Sequence, residues 1–504
     1  MIPRILSIAS PLWVYASLAV VIYGLWQSRR KFDWLALAPA AAGLAASAFL
    51  LTPVHRLFFD EDIYIGIANN LTHAPVNQIT LFGGPHDVQA SSYYKEPAGW
   101  PVFLSLVFLV TGRGETAAFW VARVLYAAAI AAVYHLALEA LGTRRQALLA
   151  SVIFGATPIC FWFSVSAGTD IPAALCAALG LWGLIGGNEA LAVGGFALAA
   201  QTRMELLLLV PLVWLSNKMS FKWRAAAAGL VSIEVVHVVW VMSVAPVLAH
   251  AERVGSTFSL GYVWANSKAN VTYLFNPYGF FAVMTALMIG AVYKGRSAPR
   301  FQPSGFLAMQ AGGILMVYLL FYAGSFDLNP RYSIQMLAPI AVLAASLMKG
   351  RLAVLMLSLV LPYTRPYDVP GFAQALISDH RMSVRFAART DPGDLIVSAE
   401  PEVFLNQDRR AMNAVYASER KEKLEEEIRR RKVWYHSGVR TNVENSEEWM
   451  ADRWVKSNFE LHLIDSQEVS GMRTAFYEVL LKPVDREARL RRTLECESDR
   501  CERG

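Results

Sequence analysis

Residues 35–52 read LALAPAAAGLAASAFLLT, an uninterrupted run without a charged side chain. Apolar runs of this kind recur along the chain. Several approach the roughly 20 residues that an α-helix needs to cross the hydrocarbon of a bilayer. Only 17% of the 504 residues are charged and 55% are hydrophobic, whereas a soluble chain carries about 25% charge. The sequence is that of a polytopic, mostly α-helical membrane protein. Candidate spans, about 12 by length, cover 11–28, 32–52, 117–141, 147–165, 171–187, 190–203, 204–217, 225–248, 276–294, 304–323, 332–349 and 351–365. The opening MIPRILSIASP leads into a full span rather than a short apolar region with a cleavage site, so no cleavable signal peptide is expected.

The formal charge of +6 is no sign of nucleic-acid binding. Much of it sits in short clusters between spans: SRRK (28–31), TRR (143–145), KMSFKWR (218–224), YKGR (293–296) and KGR (349–351). Such clusters mark cytoplasmic loops. Threading the chain through them turns outward the loop 53–116, the link at Thr169-Asp170, the turn near Arg203, the loops 249–275 and 324–331, and everything after about 366. Residues 98–112, AGWPVFLSLVFLVTG, are too short to span and would invert this map if they did. They are read as a juxtamembrane or re-entrant helix in the first outer loop. The run 190–217 must go out and return, so it is split at Thr202-Arg203.

Three regions follow: a transmembrane domain over 1–366, an extracytoplasmic α/β domain over 367–482, and a charged tail over 483–504 expected to be disordered. In the second, DLIVSA (394–399), FELHLID (459–465) and TAFYEVLL (474–481) have strand composition. RFAART (385–390), ERKEKLEEEIRRRK (419–432) and SEEWMADRWVKS (446–457) have helix composition, the second as an exposed helix with i,i+4 Glu–Arg pairs. Cys160 and Cys176 are packing residues; Cys496 and Cys501 either pair in an oxidising compartment or remain free thiols.

The outward face collects the unusual residues. The loop after residue 52 opens FDEDIY, with Asp60, Glu61, Asp62 and Tyr64. Lys95, Asp170, Arg203, Glu205, Asp327, Arg331 and Tyr332 fall on the same side. Acids and bases from separate loops at one membrane surface suit glycosyl transfer from a lipid-linked phosphate sugar. A carboxylate takes the acceptor's proton, and Lys or Arg stabilises the departing phosphate without a metal.

In order, D-E-x-x-Y (Asp60, Glu61, Tyr64), KEP (95–97), TDIP (169–172), TRME (202–205) and RYSIQMLAP (331–339) resemble the GT-C glycosyltransferases. The similar branch is that of the protein O-mannosyltransferases and lipid A aminoarabinose transferases. The resemblance covers residues of about 30 to 350 and not the C-terminal domain. It implies Asp60 as catalytic base, with Glu61 and Asp170 as supporting acids. Lys95 and Arg331 would contact the donor phosphate. Tyr64, Tyr94, Arg203 and Tyr332 would contact sugar or lipid. The donor would be a polyprenyl-phosphate sugar and the acceptor a glycolipid, a polysaccharide or a protein, with inversion at the sugar. The enzyme would lie in a plasma or inner membrane with its site extracytoplasmic. Three acids in a row could hold a divalent cation, but the resemblance implies no metal and no other cofactor. One departure stands out: Glu96 occupies the family's first proline after the lysine.

Each residue also has a plainer reading. Asp60 and Asp170 can be helix N-caps, and Lys95 can snorkel to head groups. Arg203 with Glu205 can close a helix break, and Arg331 can stop its helix sliding. Tyr93, Tyr94 and Trp100 can be interfacial belt residues rather than a sugar platform. Arg123, His135, Glu139, Glu234 and His237 lie within spans. Glu234 and His237 share a helix face and are read as a structural pair, but they are also the best support for a rival, a lipid-linked-sugar flippase or transporter. A second rival is a catalytically silent scaffold.

Overall fold

The structure is a computed structural model that describes residues 2–55, 60–85, 87, 90–93, 96–112, 114–244, 258–275, 290, 293, 303–326, 329–347 and 371–482. It divides into two compact units. The first holds residues Met1–Val54, Leu71–Asn77 and Tyr93–Asp368; the second joins His55–Asn70 and Gln78–Ser92 of the first loop to the C-terminal part of the chain. Lys95, Tyr94, Asp327, the span expected at 351–365, nearly all of that at 276–294, and Cys496 and Cys501 in the tail lie outside the described residues.

The first unit is helical. Among the described residues, four helices are long and apolar enough to cross a membrane: Ile2–Lys31, Glu115–Leu141, Phe221–Ser243 and Pro303–Leu320. The other expected spans are shorter for identifiable reasons. The run 147–165 breaks at Thr157-Pro158 into helices Arg144–Ala156 and Pro158–Phe163, because the residue before a proline is driven out of helical geometry. The run 204–217 starts as a tight 3-10 helix, Met204–Leu209, and passes at Pro211 into a short helix ending at Leu215. Residues 332–349 likewise begin in a 3-10 helix, Pro330–Met336, before the helix Leu337–Leu347. The segment 98–112 forms one helix, Gly99–Thr111, about 20 Å long at 1.5 Å per residue and so shorter than the hydrocarbon.

Large apolar side chains stand exposed on these helices, including Phe49, Val110, Leu109, Val239, Met242 and Met316. In water they would be a liability; against lipid they are the outer surface of an integral membrane protein. Between helices the packing is close. Ile2–Ser28 and Asp170–Gly186 both pack on Glu189–Thr202. A Cβ on Gly24 would stand 2.6 Å from the Leu191 backbone nitrogen, so only glycine lets these backbones meet.

The second unit is built on one seven-stranded sheet. Its strands are β1 (Ile79–Gly83), β2 (Ala90–Ser92), β3 (Leu395–Ser398), β4 (Arg410–Asn413), β5 (Val433–Ser437), β6 (Phe459–Val469) and β7 (Met472–Leu481), in the order β2-β1-β4-β3-β5-β7-β6. The β4-β3-β5 centre is parallel and every other pairing antiparallel. β3 is buried along its whole length. Leu395 and Val397 enter one core with Met412, Tyr435 and Val479, while Ile396 enters another with Phe386, Ala411 and Phe476. That is the period-2 alternation of a strand covered on both faces. The β6–β7 turn places Ser470 (φ 53°) and Gly471 (φ 74°) in left-handed geometry, as a two-residue hairpin turn of type I′ requires.

RFAART lies at the end of a longer helix, Gly371–Ala387, rather than forming one of its own. SEEWMADRWVKS forms Glu447–Asn458, with the Ser446 hydroxyl accepting from Trp449 N at 3.0 Å. ERKEKLEEEIRRRK makes its i,i+4 pairs, Glu425–Arg429, Glu426–Arg430 and Glu427–Arg431, but Glu425 and Glu427 are buried. The helix is therefore not exposed all round: it packs Leu424 onto one face of the sheet.

Candidate active site

The two groups of expected residues fall in different units. In the first unit three of the sequence motifs meet. Asp170 is the first residue of the helix Asp170–Gly186; Thr169 holds the N-cap position. The Asp170 carboxylate does not cap that helix, since its Oδ1 accepts from Arg203 Nη1. Arg203 is the extended residue (φ −144°, ψ 118°) at which the helix Glu189–Thr202 ends, where the sequence placed its break. Its Nε donates to Glu205 Oε1 at 2.5 Å, and Tyr318 OH donates to the same oxygen at 2.7 Å. Tyr318 stacks on Tyr332, ring centres 4.5 Å apart and planes at 8°. Both guanidinium groups lie near the Tyr332 ring, Arg203 at 5.2 Å and Arg331 at 5.8 Å. Gln335 Nε2 donates to the Asp170 carbonyl at 3.1 Å. Asp170 and Arg203 are buried and Arg331 is half-buried.

The helix that follows the KEP motif docks on the same segments. Trp100 Nε1 donates to the Ala167 carbonyl at 2.6 Å, three residues before Asp170. A Cβ on Gly99 would stand 2.5 Å from the Gln201 carbonyl oxygen, two residues before Arg203. Gly99→Val is therefore expected to lift this helix off its seat, lowering Tm in detergent by an overpacking cost of about 1–3 kcal/mol and abolishing activity. Gly312→Ala, within the helix Pro303–Leu320 and with nothing within 4 Å of the added atom, is the control and is expected to retain activity.

Glu234 and His237 are joined by a residue of the first loop. Tyr93 OH and His237 Nδ1 lie 2.5 Å apart, and His237 Nε2 is 4.0 Å from Glu234 Oε1. Both spanning-helix residues are buried. They hold the end of the segment that leads into Lys95 and Glu96, which is the structural reading of the pair. Arg123 is likewise structural: its Nη2 donates to the Leu51 carbonyl at 2.9 Å, just past the end of the helix Leu37–Leu50.

In the second unit Asp60 is half-buried and immediately precedes the helix Glu61–Leu71. Its carbonyl accepts from Tyr64 N at 3.0 Å, which closes the first turn. Glu61, Asp62 and Tyr64 are buried. Asn69 and Asn70 lie in the last turn of this helix. Asn406 Nδ2 donates to the Asp62 carbonyl at 3.1 Å, and β1 pairs with β4 through Phe82–Met412 and Gly83–Ala411. The loop carrying Asp60 is thus bonded into the C-terminal sheet. Nothing local to the loop announces this, because Asn406 and β4 lie more than 300 residues away along the chain.

Two further clusters in this unit were not foreseen. His436 links Asp379 Oδ1 (2.8 Å from Nε2) to Ser398 Oγ (2.9 Å from Nδ1). All three are at most 1% exposed, so no substrate reaches the hydroxyl and the chain is an internal brace of the sheet. Beside the loop helix, burial, and after it the charges of Glu400 and Asp62, push Glu402 up to about 7 from its ordinary 4.5. A carboxyl whose pKa rises on folding favours the fold below its unfolded pKa, and that contribution is lost as pH rises from about 4.5 through 7. Glu402→Gln is expected to be more stable than wild type at pH 8, by up to about 3 kcal/mol, and equal to it near pH 4. Thermal unfolding at both pH values checks this.

The family model of dolichyl-phosphate-mannose-protein mannosyltransferases matches residues 95–191, from the KEP motif through TDIP. No curated protein sequence matches the chain significantly. Among solved structures, ArnT from Cupriavidus metallidurans bound to undecaprenyl phosphate is similar over 88% of this chain and 97% of its own, with a TM-score of 0.55 and 13% identity. Its apo state matches over the same shares with a TM-score of 0.51. The archaeal oligosaccharyltransferase AglB from Archaeoglobus fulgidus, in complex with an inhibitory peptide and a dolichol-phosphate, matches over 88% of this chain and 74% of its own at 11% identity, with a TM-score of 0.46. The chain thus has the fold of these membrane glycosyltransferases, and over residues 95–191 its sequence is similar to the mannosyltransferase family.

Proposed function

We propose that this chain moves a sugar from a polyprenyl-phosphate carrier to an acceptor hydroxyl at the extracytoplasmic membrane surface, with inversion. The observation that carries the reading is the meeting of TDIP, TRME and RYSIQMLAP in one cluster, Asp170–Arg203–Glu205–Tyr318–Tyr332, with Arg331 at its side. Arg203 is committed to two carboxylates and shapes the floor of the site. Arg331 contacts the donor phosphate. Lys95, four residues before the docked helix Gly99–Thr111, supplies the second cation. Asp60 takes the proton of the acceptor hydroxyl as its oxygen attacks the anomeric carbon, and the bond to the lipid phosphate breaks on the opposite side. Glu61 supports it from within the first turn. Tyr64 and Tyr94 line the sugar or lipid path, with Tyr332 beside the arginines. The two cations stabilise the leaving phosphate. The reaction requires no metal.

The test offers the protein in nanodiscs two donor classes, radiolabelled polyprenyl-phosphate sugars and nucleotide sugars, with a crude envelope extract as acceptor. Label is expected to enter the acceptor only from the lipid donors. In sealed cells, a single cysteine placed at Thr72 should react with an impermeant maleimide added outside. Transfer from a nucleotide sugar, or labelling only after permeabilisation, would overturn the reading.

A further inference from the structure

Three donor atoms converge at the start of the first loop, within the second unit. His55 Nδ1 lies 3.6 Å from Asp62 Oδ1, and His380 Nδ1 lies 3.2 Å from Asp62 Oδ2. The two imidazole rings stack face to face, 4.0 Å apart at 14°, and both turn Nδ1 toward the one carboxylate. Each residue offers a ligand atom, and these atoms lie within 4.8 Å of one another. Asp62 and His380 are buried and His55 is 14% exposed.

Two ligands about 2 Å from a tetrahedral centre stand about 3.3 Å from each other. The observed 3.2 and 3.6 Å bracket that edge. A simple ion pair accounts for them less well. One histidine would suffice to neutralise Asp62, and 3.6 Å is too long for a hydrogen bond. Stacking a second imidazole on the first would also penalise charging both. A divalent cation held by one carboxylate and two neutral imidazoles removes that conflict; because an imidazole lone pair lies in its ring plane, one ring turns out of the stack as the ion binds. The donor set selects the metal class: two nitrogens and one oxygen suit zinc and its neighbours, whereas magnesium and calcium prefer oxygen alone. The scaffold is firm, since the neighbouring Asp379 is tied to His436 and to Val439 N at 3.1 Å, which fixes the helix Gly371–Ala387.

We infer that His55, Asp62 and His380 form a binding site for a zinc-class divalent cation, which clamps the first loop to the helix Gly371–Ala387. The metal is structural: it fixes the strand of chain that carries Asp60, two residues from Asp62, and takes no part in sugar transfer. The inference does not depend on the transferase reading, because its readout is the metal itself.

Full-length protein carrying a histidine-free tag would be purified in detergent, stripped with a chelator, re-supplied with zinc and desalted. Elemental analysis should find about one zinc per chain in wild type and a small fraction of that in Asp62→Asn and His380→Gln. Cobalt in place of zinc should give the visible absorption bands of a tetrahedral site. If the variants elute as aggregates, wild type alone decides: chelation should lower Tm by several degrees, zinc should restore it, and magnesium or calcium should not. Wild type that retains no zinc and shows no such Tm response would overturn the inference. So would well-folded variants that hold as much zinc as wild type.

Discussion

Asp60→Asn is expected to lower sugar transfer about 100- to 10,000-fold, the range by which general-base catalysis accelerates a reaction. The amide has no proton-accepting lone pair of comparable basicity, so the acceptor hydroxyl would attack unassisted. The same substitution separates the catalytic reading from the plain one. Asp60 begins the helix Glu61–Leu71 and its carbonyl closes the first turn. Asn caps a helix about as well as Asp, so Asp60→Asn should leave Tm nearly unchanged. Donor affinity should also survive, because the proposed phosphate contacts, Lys95 and Arg331, are untouched. Wild-type turnover in the Asn variant would reduce Asp60 to a helix cap. Lost turnover with a large drop in Tm would point to a structural role instead.

Arg203→Met should destabilise the membrane unit by about 3–5 kcal/mol, the usual cost of removing one partner from a buried ion pair. Arg203 holds two carboxylates, on Asp170 and Glu205, that arrive from different elements. Without the guanidinium, the buried Asp170 and the half-buried Glu205 lose the charge that balances both. Tyr318 would keep its bond to Glu205 but lose the charge that balances it. Arg203→Lys should be intermediate, since an ammonium keeps the charge but cannot meet two carboxylates along a planar fork. Unfolding of the three proteins in detergent should rank wild type first, Lys second and Met last. A Met variant as stable as wild type would mean that the cluster does not organise the site.

These two residues also show what the sequence makes legible. Asp60, Asp170, Arg203 and Arg331 stand out because charges at the ends of apolar runs have few ordinary explanations. Their order along the chain matches a known pattern, and the need for the run 190–217 to go out and return puts a break at Thr202-Arg203, where the helix Glu189–Thr202 ends. Tyr318 and Gln335 were missed because a tyrosine and a glutamine in an apolar helix carry no signal until the helix is folded against its neighbours. His55 and His380 are separated by most of the chain, and nothing local to either announces the other. The seven-stranded sheet was legible only in part. β3, β6 and β7 are rich in β-branched and aromatic residues, whereas β4, reading RAMN, is not. β4 is a strand because it lies between β3 and β1, a long-range pairing that no local propensity encodes. For the same reason, the first loop could be read as a loop but not as a contributor of two strands. The buried glutamates of Lys421–Arg430 follow this rule too: their i,i+4 pairs are local and readable, while the face they cover is not.

The proposed reaction couples sugar transfer to the release of a lipid phosphate, and a single-turnover experiment reads both products. Wild-type protein in sealed proteoliposomes would receive a polyprenyl-phosphate sugar labelled separately in the lipid and in the sugar, with an acceptor extract outside. Free polyprenyl phosphate and sugar-labelled acceptor should rise together, one for one and at the same rate, if the proposed transfer occurs. Intact, doubly labelled lipid changing leaflets without release of polyprenyl phosphate would contradict it and make the chain a transporter built on this fold.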